Sequence, residues 1–455
     1  MVQCPMFKRR PPFRRLSAPA LRLAAGPLFA AALIFAGCVP EESRVPAMAI
    51  LGAAPGGDAA LKGGTGGENA ARTKPPPPGY ITIIAAGDNL IHDIIYNNAR
   101  IPQASAAPAP GEGGPPAPVS IDGFNFDSCY EHIKPIIKKA DIAFVNQETV
   151  LGGGRFGYSG YPMFNTPQDA GLGLINAGFN VVNHASNHAM DKGEGAVFGT
   201  MDFWDARGEA LCLGVFRSEE QRKTSRRIVE KNGIRVGFLS YTYGLNGFTL
   251  PKDKPWLVGI IDREVMGREI DALRPYCDLL AVSMHWGNEF RHDPNPDQKE
   301  LAAFLAEHGV DLVIGHHPHV TQPVEIFPRP DGKKMVCYYS LGDLLSHTQS
   351  DWTPDTMTGA LAYIRVRKSP GAGPAPPQTT IETAAVIPTV CHYGRERKKP
   401  FTVYPLWDYT DALAALHYKP RITVEYLEGA ARQVYGIRVM SRADYDRLEQ
   451  DAAPR

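Results

Sequence analysis

Short apolar, β-branched segments recur along the chain at 80–86 (YITIIAA), 141–145, 179–182, 235–241, 279–284 and 311–314. They lack the polar alternation of a strand with one wet face, so they predict strands buried on both faces. Between several of them the apolar positions repeat at helical spacing, over 127–139, 167–177, 196–206, 263–273 and 296–308. Strand–helix alternation of this kind predicts an α/β domain. Residues 334–341 and 359–366 follow one another as strands with no helix between, which predicts a mixed sheet, or two sheets packed together. No internal repeat interrupts the pattern.

Three Gly/Pro-rich stretches punctuate it. Residues 40–79 hold 15 Gly or Pro in 40 positions and end in four prolines, the composition of a tether that stiffens toward its end. A low-complexity stretch at 102–118 reads as a loop inserted in the domain. Another at 370–377 reads as a linker before a small C-terminal piece. The expected organisation is a leader over 1–37, a tether over 38–79, a main domain over 80–368, a linker over 369–378 and an extension over 379–455.

Charge adds one point. Lys+Arg and Asp+Glu are 48 each, but residues 1–37 carry six basic residues and no acid, so the remainder is 42 against 48, or −6. A net negative body argues against a nucleic-acid partner held by bulk charge. The basic stretch 8–22, an apolar run over 23–36 and small residues before Cys38 have the order of an export signal, too short and too broken by Gly26 and Pro27 for a membrane span. Phe35-Ala36-Gly37-Cys38 resembles the lipobox of bacterial lipoproteins, with Phe35 where Leu is usual. The resemblance implies lipidation of Cys38 and attachment to a membrane of the cell envelope. The paired arginines fit twin-arginine export poorly because Pro11 and Pro12 follow the first pair. Beyond the leader, Cys129, Cys212, Cys277, Cys337 and Cys391 are odd in number and irregularly spaced, so neither a disulfide framework nor a thiolate zinc site is expected.

Polar residues collect where the predicted strands end. Gly87-Asp88 follows the first strand, Asn146-Gln147-Glu148 the second, and Asn183-His184-Ala185-Ser186-Asn187-His188 the third; His285-Trp286-Gly287 and Gly315-His316-His317-Pro318-His319 follow two later ones. Taken singly, each has a plain structural reading as a turn, a helix cap or a core histidine. Jointly they point to one rim, because ligands of open α/β sheets bind beyond the carboxyl ends of strands. Carboxylates, an Asn oxygen and neutral imidazoles make a mixed oxygen/nitrogen set, suited to Mn²⁺, Fe or Zn²⁺ rather than Ca²⁺. Two such ions roughly 3.5–4 Å apart activate water and hold both ends of a displacement at phosphorus, and a nearby free His can protonate the leaving group.

GDNLIHD, FVNQETVLGG, VVNHASNHAMDKG, VSMHWGNEF, DLVIGHHPHVTQPVE and YYSLGDLL, in this order, resemble the CapA-type poly-γ-glutamate capsule biosynthesis proteins of the calcineurin-like metallophosphoesterase superfamily. The resemblance covers about residues 80–366, with 386–411 as a family-like tail. It implies a metallophosphoesterase-like four-layer α/β/β/α sandwich with mixed sheets and a divalent metal centre, of two ions, at the sheet edge. Carried over, the metal ligands are Asp88, Glu148 (bridging), Asn187, His285, His317 and His319, with His316 as the register alternative. His188 is the acid, and Asp191 orients it. Two departures stand out: Leu90 occupies the His position of the usual Asp-x-His motif, with His92 two residues beyond, and the bridging carboxylate is Glu rather than Asp.

The expected function is a metal-dependent hydrolase of the cell envelope, cutting a phosphoester or an amide bond as an anionic polymer is assembled or released. The alternative is a non-catalytic capsule-assembly or export component that binds polyglutamate through the same centre and Arg155 or Arg291. In either case capsule synthase or export components are the expected partners. A periplasmic nucleotidase would need a further base-binding domain, for which 379–455 is too short. Trp286, Tyr158 and Tyr161 are candidates to line a substrate groove, and Gly152, Gly153 and Gly154 to approach a ligand or merely turn the chain.

Overall fold

The buried apolar runs form the centres of two sheets in the computed structural model, which describes residues 79–102, 120–347, 354–371, 377–396 and 401–452. The expected export signal with Cys38, the expected tether before residue 79 and the expected insertion from 103 lie outside the described residues. Strands β1 (Gly79–Asn89), β2 (Ile142–Gln147), β3 (Val181–Asn183) and β4 (Leu211–Leu213) run side by side and parallel. The chain then builds a second sheet from β5 (Ile228–Lys231), β6 (Ile234–Thr242), β7 (Leu279–His285), β8 (Leu312–His316), β9 (Thr321–Pro328) and β10 (Lys334–Leu341). Its order is β5-β6-β7-β8-β10-β9, with antiparallel strands at both edges. Finally β11 (Asp343–Leu345) pairs in parallel with the end of β1, while β12 (Thr358–Ser369), β13 (Gln378–His392) and β14 (Thr402–Pro405) extend the first sheet antiparallel on the other side of β1.

Side-chain parity stacks these layers. Ile81, Ile83 and Ala85 of β1 and Ile142 and Phe144 of β2 meet Leu279 and Ala281 of β7 and Leu312 and Ile314 of β8 in a core between the sheets. The alternate residues Ile84, Ala86, Ala143 and Val145 face outward onto a helical layer that includes Leu174, Phe203 and Trp204. On the second sheet Leu280, Val282 and Val313 face helices Arg263–Leu273 and Pro296–Glu307 through Met266, Ile270, Leu301 and Leu305. Every central strand is thus apolar on both faces, and the four-layer α/β/β/α sandwich follows. Among the described residues no helix is long and apolar enough to cross a membrane.

The expected boundary at 369–378 is corrected. Residues 358–369 and 378–392 are the two arms of one antiparallel ladder, in register from Thr358↔Val390 to Ser369↔Gln378, so the Gly/Pro-rich stretch only joins the arms. Tyr363 of β12 packs edge-on against Tyr445, and Ile387, Val403, Leu427 and Met440 belong to the same apolar cluster as Ile84 of β1. The C-terminal residues complete the outer layer.

At the amino ends of the strands Asp278 ties the sheets together. It accepts from the Arg235 backbone N–H (2.9 Å) and guanidinium beside β6, and from Lys368 Nζ of β12 (3.0 Å). Burial opposes its charge, but these donors outweigh burial and hold the carboxyl below its ordinary range. A depressed carboxyl contributes stability above its unfolded pKa and loses it as pH falls through the lower, folded value. Asp278→Asn should therefore cost about 1–2 kcal/mol near neutrality. In denaturant titrations its deficit against wild type should shrink between pH 6 and pH 3; a deficit constant with pH would contradict this assignment.

Candidate metal centre

The same parity delivers polar groups to the carboxyl end of the inter-sheet core. On β2 the even positions Ile142 and Phe144 face the core, and Asn146 and Glu148 continue that row. On β7 the odd positions do so, ending in Ser283 and His285. Asp88 would face the helices by strict alternation, but the register of β1 shifts between Ala86 and Asp88, which turns the carboxylate inward. Gly87 permits this, since a Cβ there would lie 1.9 Å from the Gly342 carbonyl oxygen, to which the Asp88 N–H donates. Asn187 and His188 arrive on the turn after β3. His317 and His319 follow β8 with φ of +98° and +58°, in the left-handed region that non-glycine residues rarely occupy. Four of the five described non-glycine residues with positive φ (Asn246, Phe290, His317 and His319) are at this end of the sandwich, so backbone strain of roughly 1–3 kcal/mol per residue is concentrated here.

Asp88, Glu148, Asn187, His285, His317 and His319 come together, all buried. Ligand atoms of Asp88, Glu148 and His319 lie within 4.8 Å of one another, and so do those of Glu148, His285 and His317. Glu148 is common to both trios. Its two carboxylate oxygens have no hydrogen-bond partner among the described residues, although the side chain is fully buried. Oε1 stands 3.7 Å from His285 Nε2 and 3.8 Å from His319 Nε2. These gaps are too long for hydrogen bonds, yet they are what two ligands show when each is about 2.0–2.2 Å from one ion between them. A lone carboxylate so deeply buried costs several kcal/mol, and a shared cation offsets that cost. The donor set around Glu148 therefore fits a divalent metal.

The electrostatics agree. Burial pushes Glu148 well above the usual carboxylate range, despite His319 nearby. Burial, then His317, holds His285 far below its ordinary value, and burial with His319 takes His317 down to about 3. Both imidazoles are thus neutral, the form that ligates metal. Asp88 is lowered, because His319 outweighs the penalty of burial, and His319 is raised because Glu148 and Asp343 outweigh it in turn.

Supporting groups fix these side chains. His285 Nε2 is 2.9 Å from Asn187 Oδ1, and Asn187 Nδ2 donates to Asn246 Oδ1 (3.2 Å). Asn146 Nδ2 donates to Asp88 Oδ1 (2.7 Å), and Asn183 Nδ2 to Asn146 Oδ1 (2.7 Å). Ser240 of the second sheet donates to Asn183 Oδ1, so this buried chain of amides spans both sheets. His319 Nδ1 lies 2.9 Å from Asp343 Oδ1 and turns Nε2 toward Glu148, the carboxylate–histidine support common around metals. His188 Nδ1 is 2.7 Å from Asp191 Oδ2, which also accepts from the Phe164 N–H (2.7 Å).

Some expected residues fall elsewhere. His316 is the last residue of β8 on the parity of Leu312 and Ile314; it stacks on Phe144 and meets Ser283 Oγ (2.7 Å) inside the sandwich, apart from both trios. His92 stays out of the trios as well, with Nδ1 close to the Leu90 carbonyl (3.1 Å) and the His347 N–H (3.2 Å). Trp286 is 1% exposed and donates to the Tyr339 carbonyl, so it lines no groove. Tyr158 packs against Phe124 and Tyr96, and Tyr161 is exposed. Sequence reasoning gave no role to Asn146, Asn183, Tyr243, Asn246, Glu289 or Asp343. For Asp343 a signal existed: Gly342-Asp343 repeats the Gly87-Asp88 pair after a strand, and the two aspartates are register partners across β1 and β11.

Residues 82–348 match the family described as bacterial capsule synthesis protein PGA_cap, a span that covers more than half the chain and holds every residue of the cluster. The chain belongs to this family. Within the PGA_cap family it is similar to the PGA biosynthesis protein CapA of Bacillus subtilis (strain 168), 29% identical over 247 residues, which are 53% of this chain and 62% of that protein. It is also similar to the capsule biosynthesis protein CapA of Bacillus anthracis, 29% identical over 258 residues, 54% of this chain and 60% of that one. The chain thus spans about three-fifths of the length of these curated relatives. A 5′-nucleotidase precursor from Thermus thermophilus superposes with a TM-score of 0.36 and 11% identity over 66% of this chain and 54% of that one, too distant to carry an argument.

Proposed function

We propose that this PGA_cap protein is a metal-dependent hydrolase of the cell envelope that acts in making or releasing a poly-γ-glutamate-type anionic capsule polymer. The observation that carries the reading is Glu148, a buried carboxylate with both oxygens unpartnered among the described residues, set between His285 and His319 at metal-ligand spacing. Asp88, Glu148 and His319 would hold one ion, and Glu148, Asn187, His285 and His317 the other. Bound Mn²⁺, Fe or Zn²⁺ would supply Lewis acidity and an activated water.

The chain's own groups supply the rest. Asp191 fixes the His188 ring through Nδ1 and keeps Nε2 for proton transfer. On hydrolysis, water adds across the P–O or amide C–N bond, and His188 Nε2 delivers the proton to the departing oxygen or nitrogen. Asn187, held by Asn246, and His319, held by Asp343, keep their ligand atoms oriented with little reorganisation. The N-terminal lipid on Cys38 would hold the domain at a membrane, where the polymer and capsule synthase or export components are met.

The test is complementation. In cells lacking this protein, the chain with Asn187→Ala, shown to be folded by its melting curve, should fail to restore polymer formation. Full restoration by that variant would contradict a catalytic role for the centre.

A further inference from the structure

Beside the two trios stands an exposed carboxylate that the resemblance does not assign. Glu289 is exposed, yet a carboxylate oxygen of Glu289 and ring nitrogens of His317 and His319 lie within 4.8 Å of one another. His317 and His319 belong to different trios, so Glu289 stands beside a ligand of each ion position. His317 Nδ1 is itself buried without a partner among the described residues, a second unsatisfied group at this spot.

The backbone holds Glu289 there. The Phe290 N–H donates to the Pro318 carbonyl (2.8 Å), which pins the loop after β7 to the loop after β8. Gly287, at φ +96°, packs so closely on Gln298 that a Cβ would come within 2.7 Å of its side chain. Gln298 is locked in turn, by the capping box with Asn295 and by Gln322 (2.8 Å). Phe290 at φ +61° completes a strained turn that presents residue 289 to the histidines.

We propose that Glu289 is an outer ligand of the metal centre, and that it is the ligand an incoming anion displaces. The assignment rests on the two-ion reading above. Asp88, Glu148 and His319 give that position three protein ligands, and Glu289, next to His319, supplies a further oxygen. Exposure makes it the member of the set that can swing away without opening the core. An anionic substrate group, phosphoryl or carboxylate, then takes its place.

The experiment uses the full chain, stripped of metal and titrated with Mn²⁺ against a chromophoric chelator. Wild type should bind two ions, and Glu289→Gln should still bind two, one of them about 10–100-fold more weakly. Inorganic phosphate, titrated calorimetrically into the Mn²⁺-saturated proteins, should bind Glu289→Gln roughly 10-fold more tightly, because no carboxylate has to leave first. Equal Mn²⁺ isotherms for the two proteins would overturn the ligand role alone. A weaker Mn²⁺ site without tighter phosphate binding would overturn the displacement. No Mn²⁺ binding by wild type would overturn the two-ion reading as well. Matching melting curves of the metal-free proteins show that the substitution acts at the centre and not on folding.

Discussion

Glu148→Gln should abolish the stabilisation that divalent metal gives this protein. For the wild-type chain, an ion present at 100 times its dissociation constant adds about 2.7 kcal/mol per site by mass action. Melting curves with and without Mn²⁺ or Zn²⁺ should therefore differ by several degrees. In the variant the shared ligand is lost from both trios, and the curves should coincide. The metal-free forms should behave in the opposite sense: the amide carries no charge into a site where Glu148 has no hydrogen-bond partner among the described residues, so the variant should melt at or above wild type. A residue that only filled space would show neither effect. A Glu148→Gln chain that is still strongly stabilised by metal would contradict the assignment of Glu148 as the bridge.

His188→Ala should leave metal binding intact and reduce turnover of any ester or amide the centre cleaves by about 10²–10⁴-fold, the usual contribution of a positioned acid. The geometry gives this separation. His188 is absent from both trios, and its Nδ1 is engaged by Asp191. The loss should be smallest for substrates with good leaving groups, such as nitrophenyl esters, which depart without a proton. An equal loss for good and poor leaving groups would assign His188 to binding and not to proton delivery.

The central strands and the residues that gather at the candidate site were legible in the sequence for one physical reason. A strand buried on both faces must be apolar throughout, so polar residues at its carboxyl end stand out, and the sandwich gathers those ends on one edge. Other parts left weaker traces. Strand β13 (QTTIETAAVIPTVCH) mixes Thr and Glu with apolar residues and contains Pro388, and it follows a Gly/Pro-rich stretch, so it reads as the start of a separate piece. Its place in the sheet is set by pairing with β12, a contact no local pattern encodes. His316 was ambiguous beside His317 and His319 until the parity of β8 put it inside the sandwich. Glu289 and Tyr243 reach the centre from loops: the turn that aims Glu289 is pinned to the Pro318 carbonyl, and Tyr243 is held by its N–H on the His285 carbonyl, contacts that no local pattern encodes.

That Glu148 bridges two ions is tested most directly by counting metal in the purified wild-type chain after equilibrium dialysis against Mn²⁺ or Zn²⁺, with the Glu148→Gln chain dialysed alongside. Two ions per wild-type chain are expected, and none held tightly by the variant. Wild-type protein that emerges with no bound metal, or equal metal in both proteins, would contradict the bridge.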